Sequence, residues 1–223
     1  MRIAFDSFSG MRIIGCMMRQ GSSIEGLRSV EDCLGQITRA REIRGAFVEN
    51  PPVSTPLIAL LVDAATLFTE LQINYALVGG LAAMLYGRAR FTEDVDFVAA
   101  GGHEATLAAH SQEMRAHHFD PACTWKLYHD SGVTIDLWKD AFADGIAQRA
   151  REITVGGHLI RVAEVHDLIA MKLRAGRFQD DYDISEILKA NRIDESVLAE
   201  RVTAPELERF GAIRRRLETN QNS

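Results

Sequence analysis

The pattern of hydrophobic and polar positions divides the chain into a sheet-forming middle and a helical end. Through residue 50 no period is sustained, and methionines at 11, 17 and 18 leave open where the natural chain starts. A helix is predicted from Thr55 to Leu71, because a hydroxyl side chain can cap a helix and Pro56 is tolerated in its first turn. NYALVGG then indicates a short strand ending in two glycines, and LAAMLYG indicates a helix that Gly87 closes.

Later patterns extend the sheet and then change to helices. DVDFVA predicts a strand, residues 104–117 a helix, and TWKLYHDSGVTIDLW a hairpin that turns at residues 130–132. REITVGGHLIRVA predicts a second hairpin, with Gly156 and Gly157 supplying its turn. Three or four helical segments follow from Glu164.

These elements together predict an α+β fold, with a mixed β-sheet core flanked by helices and a helical C-terminal part. We divide the chain into an uncertain N-terminal extension (1–50), a core (51–163) and a helical C-terminal region (164–223). The longest uncharged run, Leu71–Gly87, is broken by polar residues and a glycine pair, so we expect neither a membrane span nor export.

Composition and charge restrict the partners. The 223 residues are 47% hydrophobic, and 31 acidic against 25 basic side chains give a net charge of −6. Because negative charge opposes non-specific attraction to nucleic acid or anionic membranes, a polyanionic partner would need a local basic patch. The three cysteines form no CxxC pair, which favours reduced thiols in a cytoplasm.

Asp94 and Asp96 lie one residue apart in an otherwise apolar strand pattern. Strand side chains alternate between faces, so both carboxylates project from the same face and can converge on shared cations. Burying unpaired carboxylates is costly, and magnesium, which prefers oxygen ligands at roughly 2.1 Å, can offset that cost. Asp136 has similar apolar neighbours in the first hairpin and would complete a two-metal site.

Gly79 and Gly80 lie where the first strand passes into a helix. Backbone amides at a helix N-terminus bind phosphate, and glycine lets the phosphate approach closely. A transferred phosphate also needs cations. The basic residues that the motifs place nearest are Arg88, Arg90, Lys172, Arg174 and Arg177.

These residues carry a family resemblance. GGLAAMLYGRARFTEDVDF, with the later IDL, resembles the nucleotidyltransferase superfamily that includes DNA polymerase beta, whose signature is a GG or GS turn, a DxD or DxE pair and a third acid on another strand. A second stretch, LIAMKLRAGRFQDDYDI, resembles the C-terminal motif of AbiEii-type nucleotidyltransferase toxins, in which a lysine and a later aspartate face the nucleotide. Those positions are Lys172 and Asp183 here, while Gln179 departs from the lysine that many relatives carry.

The resemblance covers residues 56 to 190 and implies a magnesium-dependent enzyme. It would transfer NMP from an NTP such as ATP to a hydroxyl and release pyrophosphate. Two Mg²⁺ ions would be held by Asp94, Asp96 and Asp136, of which Asp136 would also help to deprotonate the acceptor hydroxyl. Lys172 completes the implied catalytic set. The implied nucleotide-binding set is Gly79, Gly80, Arg88, Arg90, Lys172 and Asp183.

The acceptor stays open at this point. The second motif favours RNA, including tRNA 3′ ends, and a toxin whose partner is a cognate antitoxin. Aminoglycoside nucleotidyltransferases share a similar GG and GR opening, so a small-molecule acceptor is the enzymatic alternative. The non-enzymatic alternative is a nucleotide-binding antitoxin or partner protein that keeps the fold without turnover.

Several side chains also have structural interpretations. Lys172 fits a surface position on an amphipathic helix, and Asp183 fits a helix-face acid paired with Arg177 or Lys189. Aromatic side chains of this size are more often core residues than base-stacking platforms. We therefore expect the following aromatic residues in the core: Tyr86, Trp125 and Trp138.

Overall fold

A mixed sheet forms the middle of the molecule. The computed structural model describes residues 54–87, 95–138, 141–155 and 157–221, so residues 1–53, Arg88, Arg90, Asp94 and Gly156 lie outside the description. The strands are β1 Tyr75–Val78, β2 Val95–Ala99, β3 Lys126–Tyr128, β4 Thr134–Trp138, β5 Arg151–Val155 and β6 His158–Val162. Within the described ranges they form one six-stranded sheet with the order β3-β4-β2-β1-β6-β5.

Strand pairing confirms the predicted mixed sheet. β2 runs parallel to β4, and β1 runs parallel to β6, while the other neighbours are antiparallel. Both predicted hairpins are present, as β3–β4 and β5–β6. The parallel pairing of β2 with β4 is the contact that matters for the site, because it joins two strands that helices α3 and α4, at residues 103–116, separate in the chain.

Helices flank the sheet and make up the C-terminal part, which confirms the predicted α+β class. They are α1 Ser54–Glu70, α2 Gly79–Tyr86, α3 His103–Ala109, α4 Ser111–Ala116, α5 Ala143–Arg149, α6 Val165–Ala175, α7 Phe178–Ala190, α8 Glu195–Ala199 and α9 Ala204–Gln221. The first helix begins one residue before the predicted Thr55. In the described part of the chain, no helix combines the length and the apolar character that a membrane crossing requires.

The helix predicted over residues 104–117 is wrong in one respect, because it breaks at His110 into α3 and α4. A continuous helix would have the His110 backbone N–H donate to the Thr106 carbonyl. Instead the imidazole Nδ1 of His110 lies 2.7 Å from that carbonyl, and the backbone N–H donates to Leu107. The side chain thus competes with the helical backbone for the same acceptor.

The two faces of the sheet are covered differently. On one face, Leu77, Phe97 and Ile135 belong to the large hydrophobic core, which also contains Leu60 and Phe68 of α1. On the other face, a small cluster joins Ala76, Val78 and Val98 to Ala143 and Ile146 of α5. Since strand side chains alternate, Asp96 and Asp136 lie on this second face.

The C-terminal helices share the large core. Leu173 of α6, Ile187 of α7 and Phe210 of α9 are buried in the same hydrophobic cluster as the strands. An ion network also ties α6 to its surroundings, since Asp167 accepts two hydrogen bonds from Arg149, at 2.9 and 2.8 Å, and Arg201 lies 3.1 Å from the same carboxylate. The helical region is therefore attached to the sheet by both apolar and ionic contacts.

Candidate functional site

Asp96 and Asp136 lie directly opposite each other on the paired strands β2 and β4. Neighbouring strands are about 4.8 Å apart, so the two acids occupy adjacent positions on the same face of the sheet. The same row of the sheet continues to Val78 of β1 on one side and Lys126 of β3 on the other. The structure thus brings together two of the three predicted acids, and the third, Asp94, lies outside the described residues.

Gly79 touches the carboxylate of Asp96. A Cβ atom built on Gly79 would lie 1.9 Å from Oδ2 of Asp96, and the Gly79 backbone has φ +68°. Both facts require glycine, because L side chains disfavour this φ and no side-chain atom fits the space. Gly79 is also the first residue of α2 and Gly80 the second, so the amides of the first helical turn lie beside Asp96. Such amides are suited to binding phosphate.

Trp138 orients Asp96. Its indole Nε1–H donates to Oδ1 of Asp96 at 2.7 Å. Trp138 is 45% exposed and Trp125 is 59% exposed, so the expectation that both are core residues was wrong. β4 turns Leu137 toward the large core and therefore Trp138 toward the acidic face. Tyr86 is buried as expected, and its hydroxyl donates to the Ala163 carbonyl.

Lys126 holds Asp136. Its ammonium Nζ lies 2.9 Å from Oδ1 of Asp136, and both side chains are partly exposed. Lys126 was not among the site residues predicted from the sequence. The signal was present, because a hairpin centred on Ser131 pairs Lys126 with Asp136.

Lys172 and Asp183 meet at the inner side of the α6–α7 hairpin. The Lys172 ammonium lies 2.6 Å from Oδ2 of Asp183 and 3.6 Å from Oδ1 of Asp180. The exposed fractions of these side chains are 5%, 5% and 0%, respectively, so the interpretation of Lys172 as a surface lysine was wrong. The Lys189 considered as an alternative partner pairs with Glu186 instead.

Arg177 and Asp180 cap the start of α7. The guanidinium donates from Nε to Oδ2 of Asp180 at 2.8 Å and from Nη2 to Oδ1 at 3.3 Å, while the Arg177 backbone N–H also donates to Oδ2. Burial alone would raise the pKa of Asp180, but the hydrogen bond from Arg177 and the charges of Lys172 and Arg177 together hold it below its usual range. Asp180 is therefore a charged, fully buried anchor that sequence reasoning missed.

The charges of nearby acids also act on Arg177. The hydrogen bond to Asp180 raises the pKa of Arg177 most, and the charges of Asp96 and Asp183 raise it further. Its side chain is 54% exposed. The charge of Asp96 thus acts on the residue that precedes α7.

The donor atoms at this face fit a hard divalent cation. Carboxylate oxygens are the ligands that Mg²⁺ prefers, and Asp96 and Asp136 supply them from adjacent strands. Among the residues that the structure describes, no group of three His, Cys, Asp or Glu side chains is close enough to hold a metal ion. The two described acids therefore fit the predicted ion as a partial ligand set, to which Asp94 would add a third carboxylate.

Comparison with known proteins gives the class. Residues 55–219 match the family described as "Nucleotidyltransferase of unknown function (DUF6036)". The chain therefore belongs to this nucleotidyltransferase family, which confirms the superfamily resemblance and implies a nucleoside triphosphate substrate.

Two solved structures align with the chain, and the first of them supports the same fold. An antigenic nucleotidyltransferase-like protein from Paracoccidioides brasiliensis aligns with a TM-score of 0.51 at 19% identity, over 75% of this chain and 92% of that chain. The antibiotic-resistance factor ANT(2'')-Ia aligns with a TM-score of 0.45 at 13% identity, over 75% of this chain and 96% of that chain. No curated protein matches the sequence.

Proposed function

We propose that the protein is a magnesium-dependent nucleotidyltransferase that moves NMP from an NTP to a hydroxyl group of RNA and releases pyrophosphate. The observation that carries this proposal is the direct opposition of Asp96 and Asp136 on parallel strands, with Gly79 against Asp96. Asp94, two residues before Asp96 in the chain, is proposed as the third acid.

The reaction forms a phosphodiester bond and breaks a phosphoanhydride bond. The acceptor oxygen forms a bond to the α-phosphorus of the NTP, the bond from that phosphorus to the bridging oxygen of the β-phosphate breaks, and pyrophosphate leaves. The acceptor proton passes to the carboxylate of Asp136. Bound Mg²⁺ on Asp94, Asp96 and Asp136 would neutralise charge on the phosphates. The amides of Gly79 and Gly80 would bind triphosphate oxygens.

The surroundings of the acids give each of them a fixed orientation. Trp138 holds one oxygen of Asp96, and Lys126 lies against one oxygen of Asp136. A catalytic group that is already oriented needs less reorganisation when the substrate binds. We propose Lys126 as the residue that keeps Asp136 directed toward the acceptor hydroxyl.

Exposed aromatic side chains favour RNA over a small acceptor. Trp138 is 45% exposed beside Asp96, and Phe178 and Tyr182, 92% and 50% exposed, lie in the first turns of α7 near Arg177. Exposed aromatic rings and arginine side chains stack on unpaired bases. A toxin-like role with a cognate antitoxin is part of the proposal, because the motif around Lys172 and Asp183 resembles that of AbiEii-type toxins.

The test is transfer of label from each of the four NTPs, labelled at the α-phosphate, in the presence of Mg²⁺. Total RNA and a panel of aminoglycosides are offered as acceptors in parallel. We expect labelled RNA, a mass increase of one nucleotide, and no labelled aminoglycoside. The mass of the product gives the base and the acceptor class in one measurement.

Asp96→Asn is the decisive variant. Loss of a metal ligand should raise the barrier by at least ~3 kcal/mol, which is a loss of more than about 100-fold in rate. A rate within tenfold of the unchanged protein would contradict the proposed chemistry. Asp120→Asn serves as the matched control, because Asp120 is an exposed aspartate that caps Ala122 in a loop and lies in none of the proposed sets.

A further inference from the structure

Two cationic side chains of the α6–α7 hairpin, those of Lys172 and Arg177, differ in how far they are exposed. The ammonium of Lys172 is 5% exposed and lies between the carboxylates of Asp183 and Asp180. Drawing it out toward a nucleotide would break its 2.6 Å ion pair with the buried carboxylate of Asp183 and remove its charge from Asp180, which is unfavourable. Arg177, five residues further along the chain, is 54% exposed.

The α6–α7 hairpin packs against the end of α2 and against the acidic face of the sheet. A Cβ atom on Gly87, which follows α2, would lie 2.9 Å from the backbone of Glu186 in α7. On the same hairpin, Met171 of α6 packs against the small cluster that contains Val78 of β1. Since β1 ends at Val78, the hairpin that carries Arg177 lies against the strand that leads into the phosphate-binding turn.

The electrostatics agree with this packing. Gly79 packs against the carboxylate of Asp96, and the charge of Asp96 acts on the guanidinium of Arg177. This carboxylate therefore interacts with the first residue of α2 and with the residue that precedes α7. The first turn of each helix contributes partial positive charge, which favours an anion at this face.

We propose that Arg177 binds the triphosphate opposite Gly79, and that Lys172, Asp180 and Asp183 are positioning residues that hold Arg177 in place. The inference rests on the proposed nucleotidyl transfer and changes the role of Lys172 from a nucleotide contact to a buried support. Lys172 fixes Asp180, and Asp180 fixes Arg177 through two side-chain hydrogen bonds.

The chemistry of arginine suits this arrangement. A guanidinium has five N–H donors in a rigid plane, so it can remain bound to a carboxylate on one edge and bind phosphate oxygens on another. Asp180 engages Nε and Nη2 of Arg177. Lysine at this position would keep the charge but would lose the two-point contact with Asp180.

Binding of magnesium pyrophosphate, measured by calorimetry on the full chain, tests the proposal without requiring turnover. Charge-assisted hydrogen bonds contribute about 1.5–3 kcal/mol, so Arg177→Gln should weaken binding by about 10- to 100-fold. The affinity of Arg177→Lys for magnesium pyrophosphate should lie between that of Arg177→Gln and that of the unchanged protein.

Arg209→Gln is the matched control. Arg209 pairs with Asp181 in the same first turns of α7 and donates to the Gly176 carbonyl, so its loss disturbs the same hairpin. The Arg209→Gln variant should bind magnesium pyrophosphate with an affinity within about twofold of that of the unchanged protein, which corresponds to roughly 0.4 kcal/mol. A loss as large as that of Arg177→Gln would mean that hairpin stability, not phosphate contact, explains the effect, and it would overturn the proposal.

A double-mutant cycle tests the positioning role. If Asp180 acts through Arg177, the single variant Asp180→Asn should weaken pyrophosphate binding. Adding Asp180→Asn to Arg177→Gln should then cause no further loss of affinity. Additive losses would overturn the positioning role. Arg177 variants keep the test valid even if Asp180→Asn fails to fold, because Arg177 is more than half exposed.

The outcomes separate this inference from the proposed function. If the unchanged protein binds magnesium pyrophosphate and Arg177→Gln binds equally well, the inference is wrong and nucleotidyl transfer still stands. If the unchanged protein binds neither pyrophosphate nor any NTP with Mg²⁺, the proposed function fails and the inference fails with it.

Discussion

The carboxylate of Asp96 interacts with three parts of the chain that are distant in sequence. The backbone of Gly79 packs against Oδ2, the indole of Trp138 donates to Oδ1, and Arg177 lies within electrostatic reach. These interactions are a packing contact, a hydrogen bond and a charge effect, respectively. Substitutions of the three neighbours should therefore change different properties of the protein.

Gly79→Ala should both destabilise the protein and abolish nucleotide binding. A positive φ costs about 1 kcal/mol or more for alanine, and the clash with Asp96 adds to this cost. Gly132→Ala is the control, because Gly132 has φ +81° with open space around its Cβ position. Urea unfolding should show the larger loss for Gly79→Ala, and equal losses would mean that the contact with Asp96 is unimportant.

The fluorescence of Trp138 should change when a ligand binds at the acidic face. The protein has two tryptophans, so Trp125→Phe leaves Trp138 as the sole indole. Its emission should change when Mg²⁺ and an NTP are added together, because its hydrogen-bond acceptor is the proposed metal ligand Asp96. Trp138→Phe, which retains Trp125, should show no such change. An unchanged signal in Trp125→Phe at saturating NTP would place the ligand elsewhere.

The α6–α7 hairpin is the element that joins the helical region to the site. Gly176 ends α6 with φ +68°, and its backbone N–H donates to the Lys172 carbonyl. This left-handed cap turns the chain so that α7 packs beside α6, which brings Asp183 and Asp180 to Lys172. The buried charges are therefore a consequence of a turn that the sequence RAGRF already contains.

Stability should fall in acid because of carboxylates with lowered pKa values. Burial would raise the pKa of Asp180 and of Glu164, but hydrogen bonds and charges from their partners leave both below the usual range. Their contribution is fully present above the unfolded values of about 4 and is lost as the pH falls through the lower folded values. Urea unfolding at a series of pH values should show a steep decline below about pH 4.

Arg201→Gln tests the source of that decline. Arg201 pairs with Glu164 and lies 3.1 Å from Asp167. Its loss should lower the free energy of unfolding at pH 7 by about 3 kcal/mol or more, because two largely buried carboxylates lose a partner. The difference between the two proteins should narrow as the pH falls below about 4, since Glu164, whose pKa is lowered by its partners, loses less when the cation is removed from its protonated form. A constant difference across that range would contradict the assignment.

At the scale of the whole molecule, the sheet and the helical region should unfold together. The division at residues 163 and 164 stays a prediction, but Leu60, Phe97, Leu173 and Phe210 belong to a single hydrophobic cluster. Tryptophan fluorescence reports on the sheet, because Trp138 ends β4, whereas far-ultraviolet circular dichroism reports mainly on helices. Thermal transitions measured by the two probes should coincide. Midpoints that differ by many degrees would indicate two independent units.

Much of the candidate site could be predicted from sequence because its residues lie in short local patterns. A strand followed by two glycines and a helix, an alternating strand with acids, and a hairpin with a third acid each depend on a few neighbouring residues. Lys172 and Asp183 were paired only through family resemblance. Trp138 was misassigned because alternation fixes that Leu137 and Trp138 face opposite sides, but it does not say which side a helix covers.

The sequence by itself determined the identity of the elements, the glycine turn at residues 79–80 and the acidic residues that carry the proposed chemistry, since these follow from local conformational preferences. Only the tertiary structure decided that β4 pairs in parallel with β2, that Trp138 binds Asp96, and that Arg177 is exposed while Lys172 is buried. Those contacts join residues far apart in the chain. Their positions depend on how sheet and helices pack around a shared core, which no local pattern encodes.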